Sequence, residues 1–402
     1  ELRRINVICI SCCLIIGFLF FILFTKSVVF SCICIFFIGF GGMSALTLLL
    51  NIYIECHPMK NRTLSFICIQ IAQNVGNIIF FAMMLILTPN FEPQKTQNLL
   101  TTFWVFTFLC LLCVIFLTKD SPRNSALVGR TNEAIATLCE CIYSRRMRLP
   151  PDVKKSLTIK FKSGVNEIET EFSAIFNKTY GIITLKLALG NFLMVAIMSG
   201  MQSILTVIFK DYGLSNHETI IYNIYNALIG VAVTIIIGSV SNTEKIGPKN
   251  ILYGVLPLII VLSVVCWVVQ GIGSILIMII IGFSNAGNFC VLSMAIVFYP
   301  TKLRDIGFGF FTFIACLSSF SFQYIYTAAL RKGIHNVYLI VIILTVALII
   351  LISFIDKNVN EIELDSEDIL EDKNKDEESS NKKSEFSEKD DDNGYFKEDY
   401  NK

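Results

Sequence analysis

Residues 28–62 read VVFSCICIFFIGFGGMSALTLLLNIYIECHPMKNR. The first 27 of them carry no charge, and then Glu55, Lys60 and Arg62 arrive together. A hydrocarbon core about 30 Å thick takes about 20 apolar residues in helical form. The stretch is therefore one membrane crossing that ends at a polar interface. The same pattern recurs on both sides of it, with crossings expected near 5–24, 28–52, 65–88, 100–118, 179–209, 218–240, 251–270, 272–296, 306–330 and 335–355. Composition agrees: the 402 residues are 54% hydrophobic and 16% charged, with mean hydropathy +0.65, where a soluble domain is about 25% charged. An ordinary soluble protein is excluded. The runs are too long for buried core helices and lack the alternation of a membrane barrel, and lipid tolerates only helices or closed barrels. The expected fold class is all-α, a polytopic membrane helical bundle of about ten spans.

The formal charge of +1 hides two opposed regions. From Asp356 onward there are 18 acidic and 8 basic residues, and before it 14 acidic and 25 basic. Lys and Arg gather in alternate loops: Arg3, Arg4, Lys60, Arg62, the stretch from Lys119 to Lys178, Lys245, Lys249, Lys302 and Arg304 on one side. The other side holds Lys26, Lys95, Lys210, Arg331 and Lys332. Because positive residues stay inside, the first side is expected in the cytosol, with the linker and the acidic tail. The 14 cysteines lie mostly inside apolar spans, where they read as small hydrophobes and not as disulfides. His57, His217 and His335 sit in three different loops, so no metal site is expected.

Two loops share a pattern, Pro58-Met59-Lys60-Asn61-Arg62 and Pro300-Thr301-Lys302-Leu303-Arg304, about 242 residues apart. The positive-inside rule alone would put basic residues after a span, whereas duplicated halves would also repeat the spacing, and the span order favours duplication. Two spans precede the first copy and two follow it; after the linker, four precede the second and two follow. With Glu1 in place of a methionine, two further spans ahead of Glu1 are expected, for six plus six.

Four motifs then fall in order: Glu55-Cys56-His57-Pro58-Met59-Lys60-Asn61-Arg62 (E-x-x-P-x-x-x-R), Ser121-Pro122-Arg123, Gly129-Arg130-Thr131-Asn132-Glu133-Ala134 and Tyr299-Pro300-Thr301 ending at Arg304. Together they resemble the major facilitator superfamily, in particular its branch of sugar, organic-ion and synaptic-vesicle-related transporters. Glu1-Leu2-Arg3-Arg4 is similar to the end of that family's loop between helices two and three, and Glu244-Lys245-Ile246-Gly247-Pro248-Lys249 to its second-half counterpart. The chain departs from the family at Pro248, where an Arg is usual, at Val297, where a Glu is usual, and near Phe36, where an Arg is often found. The resemblance implies a half-bundle at 1–118 (helices three to six), a cytosolic linker at 119–177 and a second half-bundle at 178–355 (helices seven to twelve). The tail 356–402 is expected to be disordered from its composition alone.

Away from their ends the spans hold no carboxylate, and one internal charge, Lys186. Either its stem snorkels to the cytosolic interface or it faces an anion. Polar stripes are more informative. At about 100° per residue, Gln70, Gln73, Asn74 and Asn77 share one arc, as do Ser44, Thr47, Asn51 and Glu55 on the previous span. Thr312, Ser319 and Gln323 form a third stripe, and Asn191, Gln202, Asn223, Asn226 and Asn288 continue the theme. Lipid cannot satisfy these groups, so they face protein or water. As interhelical ties they are worth only about 0.6 kcal/mol each, so an aqueous solute pathway is the favoured reading over glue. The resemblance agrees, since it places the equivalent helices around a transport cavity. Tyr222 and Tyr225 would suit a neutral polar solute or an organic cation. Glu55, Arg62, Arg123, Glu244, Lys249 and Arg304 lie at the cytosolic face as candidate gate charges, with topology determinants as the plainer alternative.

The linker is expected to carry a helix capped by Thr131, with Ile135, Leu138 and Ile142 on one face and Arg145, Arg146 and Arg148 at its end. The triplets Asn61-Arg62-Thr63 and Asn177-Lys178-Thr179 are expected to stay unglycosylated in the cytosol. Gly39-Phe40-Gly41-Gly42 and Gly307-Phe308-Gly309 read as packing sites and not phosphate loops. The functional expectation is a transporter of a small polar or organic-ion solute in the plasma membrane or a vesicle membrane, not an enzyme, monomeric, and without cofactor. Its expected partners are the solute, lipid and, where transport is coupled, an ion, but not nucleic acid. The alternative is a receptor or scaffold that keeps the fold without transport.

Overall fold

The computed structural model describes residues 4–25, 27–55, 62–88, 93–127, 130–142, 172–177, 180–211, 213–241, 247–269, 273–299 and 301–355. Among them the chain is helical, with no strand. The first group is α1 (Arg4–Phe24), α2 (Val28–Glu55), α3 (Arg62–Leu87) and α4 (Pro93–Leu117). Short helices α5 (Pro122–Leu127) and α6 (Thr131–Ile142) follow, then a 3-10 turn at Phe172–Phe176. The second group is α7 (Gly181–Asp211), α8 (Asn216–Ser241), α9 (Pro248–Val268), α10 (Gly273–Phe298), α11 (Thr301–Lys332) and α12 (Ile334–Ser353). Ten of these helices, all but α5 and α6, are long and apolar enough to cross a membrane.

The crossings fall close to their expected places, with two differences of physical interest. Helix α4 starts about two turns early at Pro93, which costs nothing at a first turn whose N–H groups have no intrahelical partner. Its polar first turns are tied down by Gln97, whose amide donates to the Leu23 carbonyl at 3.1 Å. Helix α11 starts at Thr301, so Arg304 and Asp305, expected in a loop, are held on a helix. Local signals set other ends. Ser215 and Glu218 form a reciprocal capping box at the start of α8, Glu218 N–H donating to Ser215 Oγ and Ser215 N–H to Glu218 Oε2. Gly213, with φ 78°, closes α7 in a left-handed turn in which its N–H reaches Lys210 O and Leu214 N–H reaches Phe209 O.

Helix α7 is the hub of the second group, packing against α10, α11 and α12, while α9 joins α10 and α12. Its Leu187, Met194, Met201 and Phe209 are buried in one apolar core with Leu252, Met278 and Tyr338. Close approach here requires glycine: a Cβ at Gly200 would overlap the Tyr326 ring. In the first group α1 packs on α2 and α4 around Ile8, Cys12, Ala45, Ile52 and Leu111, and Trp104 donates to the Ile16 carbonyl at 3.2 Å. Of the glycines expected to be packing sites, Gly41 faces the Ser11 carbonyl and Gly307 the Tyr299 ring, whereas a Cβ at Gly39, Gly42 or Gly309 would meet nothing within 4 Å.

Helix α3 packs chiefly on α8 of the second group and also touches α10, while α2 meets α11. These contacts are the seam between the groups. The linker reaches both: α5 packs on α6 and touches α11, and on α6 Ala134 and Ile135 are buried and Leu138 half-buried. At the linker's other end Phe172 and Phe176 lie against Phe310 of α11, with ring centroids 6.1 and 5.3 Å away. Thr184 Oγ1 donates to the Ile175 carbonyl at 2.9 Å. Glu1 to Arg3, the Cys56–Asn61 loop, Glu244 to Ile246, Arg145 to Arg148, Lys178-Thr179, Pro300 and the acidic tail lie outside the described residues.

Candidate functional site

The seam holds three layers, beginning at the linker face. The first is charged. Glu55, the last residue of α2, accepts from Arg4 Nη1 at 2.8 Å and from Arg304 Nη1 at 3.2 Å, and its side chain and that of Arg304 are fully buried. Arg4 turns its Nε to Asp305 Oδ2 at 2.6 Å, and Asn51 Nδ2 donates to Asp305 Oδ1 at 2.7 Å. Ser121, just before α5, donates to Glu55 through its hydroxyl, which also caps α5 by accepting from Asn124 N–H. Two positive and two negative side chains cancel. Three of the contacts, Glu55 to Arg304, Arg4 to Asp305 and Asn51 to Asp305, cross from the first helix group to the second.

The second layer is apolar. Leu50 and Ile54 of α2 and Phe308 of α11 are buried together, with Ile69, Phe289 and Leu292 packed around them. Ile54 directly precedes Glu55, and Leu50 and Phe308 lie about one turn from Glu55 and Arg304, so charge and plug move as one body on each helix.

The third layer is amide. Helices α3 and α8 run antiparallel, a register set by two contacts: a Cβ at Gly238 would stand 2.8 Å from Ile67, and one at Gly230 would stand 3.2 Å from the Asn74 amide. Gln70 and Asn74 are buried on α3, Asn288 is buried on α10 and Asn226 is half-buried on α8. By helix rise, Asn288, Asn74 and Asn226 stand roughly 15, 18 and 22 Å from the linker-face ends of their helices, near the middle of a bilayer. Gln70 Oε1, Asn74 Nδ2, Asn226 Oδ1 and Asn288 Oδ1 are buried with no hydrogen-bond partner among the described residues. Each such atom costs about 1–3 kcal/mol if left unmet.

The other expected pathway residues are placed as follows. Asn191 donates to the Phe311 carbonyl at 2.9 Å, a tie between α7 and α11. Thr47, Asn223 and Thr312 bond carbonyls one turn back in their own helices. Gln73, Gln202 and Gln323 are exposed, and Asn77 and Ser319 half-buried. Asn51 belongs to the charged layer. Among the gate charges, Glu55 and Arg304 meet, while Lys249 reaches the Ile355 carbonyl at the end of α12. Arg62 and Arg123 lie on α3 and α5 with side chains outside the described residues, and Glu244 lies outside them altogether. Lys186 donates to the Phe354 carbonyl, which is what a snorkelling stem does. Arg4, Asp305 and Ser121 were not expected at a gate. Asp305 adjoins Arg304 and Ser121 opens the Ser-Pro-Arg motif, but no rule of spacing pairs Asp305 with Arg4 or Ser121 with Glu55.

Residues 2–322 match the family profile described as Major Facilitator Superfamily. The fold is shared with the proton:xylose symporter XylE of E. coli bound to 6-bromo-6-deoxy-D-glucose, with TM-score 0.72 and 15% identity over 89% of this chain and 82% of that one. It is shared with the human organic anion transporter MFSD10, with TM-score 0.64 and 12% identity over 87% and 77%. FucP in its outward conformation gives TM-score 0.58 and 12% identity over 89% and 84%. No curated protein matches the chain.

Proposed function

The chain belongs to the major facilitator superfamily, a family of membrane transporters, and from that premise we propose that it carries a small polar solute by alternating access, with the linker face toward the cytosol. The observation that carries this reading is the stacking of a charged lock, an apolar plug and unmet amides along one seam between two helix groups. A lock of this kind holds one of two states. Removing one partner of a buried ion pair costs about 3–5 kcal/mol, comparable with the roughly 5.5 kcal/mol that takes a two-state equilibrium from 1:99 to 99:1. Opening toward the cytosol separates α2 from α11, hydrates the four charges and withdraws Phe308 from Leu50 and Ile54. The amides then face the cytosol.

The test is a reversible lock. Cysteines replacing Asn51 and Asp305, which touch across the seam, are oxidised in proteoliposomes loaded against a mixed panel of labelled sugars, amino acids and organic ions. Uptake that stops on oxidation and returns on reduction supports alternating access. A protein that takes up nothing in either state, yet stays folded, supports the scaffold instead.

A further inference from the structure

Resting on the reading of the charged layer as a lock, we infer that Tyr299 and Thr184 are positioning residues for Arg304. Through them the linker's 3-10 turn at Phe172–Phe176 holds the Arg304 end of the lock in place. Arg304 divides its guanidinium between two neighbours. Nη1 crosses the seam to Glu55 Oε1 at 3.2 Å, and Nη2 donates to the Tyr299 carbonyl, also at 3.2 Å. The guanidinium is planar and its donors form a rigid fork, so fixing one arm fixes where the other points. Of these two acceptors, the Tyr299 carbonyl belongs to Arg304's own helix group. It therefore stays with Arg304 when the seam opens.

The carbonyl is steady only if Tyr299 is. That residue joins α10 to α11 and is 2% exposed. Its ring lies against Gly307, and its centroid stands 5.9 Å from that of Phe311 and 6.1 Å from that of Tyr180. Its hydroxyl meets Thr184 Oγ1 of α7, a side chain that is fully buried. A threonine hydroxyl has one proton to give. Thr184 gives it to the Ile175 carbonyl at 2.9 Å or, one turn back, to the Tyr180 carbonyl at 2.8 Å, so Tyr299 is the donor to Thr184. Burial pushes the Tyr299 phenol up to about 12, and its proton is held at any physiological pH. Bonds thus run one way, from Tyr299 to Thr184 to Ile175 in the 3-10 turn.

The turn has its own seat. Ala174 and Ile175 are buried, and Phe172 and Phe176 lie against Phe310, two positions beyond Phe308 of the plug. It grips α7 through Thr184 and α11 through Phe310. At the linker's other end, Ser121 donates to Glu55. Both members of the buried pair are therefore held by the linker, Glu55 directly near its start and Arg304 through Thr184 and Tyr299 near its end. Partners held in place lose less freedom when they meet. A contact made wholly within the second helix group in this way strengthens one made across the seam.

The test measures the coupling between Arg304 and Glu55, by melting of the full chain in detergent with Arg304→Ala, Glu55→Ala and both. It is repeated in four backgrounds: Tyr299→Phe, Thr184→Val, Thr184→Ser and Tyr326→Phe. The first two break the run of bonds at nearly constant shape, and in them the coupling should fall to about half or less. Thr184→Ser keeps the hydroxyl, and Tyr326→Phe deletes a buried hydroxyl elsewhere on α11; both should leave the coupling as it was. Should Thr184→Val not fold, Tyr299→Phe decides alone. Coupling kept in Tyr299→Phe overturns the inference however far the melting point moves, because a merely structural hydroxyl changes stability and not the coupling. Equal loss in Tyr326→Phe or Thr184→Ser overturns it too, since general loosening would then be the cause. No coupling in the otherwise unchanged chain sinks the lock, and this inference with it.

Discussion

Glu55 and Arg304 are 249 positions apart in the chain, yet Arg304 Nη1 stands 3.2 Å from Glu55 Oε1, and neither side chain has any exposure to solvent. The pair joins the end of α2 to the first turn of α11, and with Arg4 and Asp305 it makes the seam's charge balance zero. Its energetic character follows from burial. Such a pair adds little over an apolar contact of the same volume, but losing Arg304 leaves Glu55 to Arg4 and Ser121 and the buried cluster with one negative charge uncompensated.

Arg304→Ala should therefore destabilise the folded protein in detergent by about 3–5 kcal/mol, whereas Arg304→Ala combined with Glu55→Ala should cost markedly less than the two single changes added together. A double-mutant cycle by thermal unfolding measures the difference. Strict additivity would mean that the two side chains do not interact.

Ser121→Ala removes both the hydroxyl bonded to Glu55 and the cap of α5. A cost of about 1 kcal/mol is expected for the cap, and hydrogen exchange of residues 123–127 should quicken while that of α9 stays as it was. Unchanged exchange at α5 would show that the hydroxyl caps nothing in solution.

At Gly230 the nearest atoms to a new methyl group are Asn74 Nδ2 and Oδ1, both at 3.2 Å. Gly230→Ala should reduce solute flux several-fold, and Gly230→Leu should abolish it, with the protein still monodisperse. Gly254→Ala, where nothing lies within 4 Å of the added carbon, is the control and should transport normally. Equal behaviour of the two alanine variants would remove Asn74 from the seam.

Tyr326 is fully buried with its hydroxyl unpartnered among the described residues. Tyr326→Phe deletes that buried polar atom and should leave stability unchanged or raise it by about 1 kcal/mol. Gly200→Ala should lower it by about 1–3 kcal/mol, because the new methyl group would overlap the Tyr326 ring. Circular dichroism melts of the two variants decide, and a stabilised Gly200→Ala would contradict the close packing of α7 on α11.

Lys186→Gln tests the one charge inside a span. With its amine bonded to the Phe354 carbonyl at a helix end, it should change neither solute preference nor flux by more than about twofold, and should cost under about 1 kcal/mol of stability. A change in which solute is carried would place Lys186 in the pathway.

Much of this was legible along the chain. A run of about 20 apolar residues has only one structure in lipid, so the crossings could be counted and bounded, and they err by more than a turn only where a polar first turn extends a helix, as at Pro93 and Thr301. The helical stripe on α3 was legible too, since 3.6-residue periodicity puts Gln70 and Asn74 on one face. Which neighbour that face meets was not. Asn191 and Asn288 look alike in sequence, but Asn191 ties α7 to α11 through the Phe311 carbonyl, whereas Asn288 is buried on α10 with an Oδ1 that meets no partner among the described residues.

Hydrophobic length and periodicity act within a single segment, and by itself the sequence determined the all-helical membrane fold and its ten crossings among the described residues. Pairing acts between segments. Only the tertiary structure decided that Glu55 is shared by Arg4 and Arg304, that Lys249 serves the end of α12 instead, and that Gly230 opens room for Asn74. The physical reason is that a charge or an amide on a helix end is compatible with many partners, and the partner is selected by which helices pack side by side.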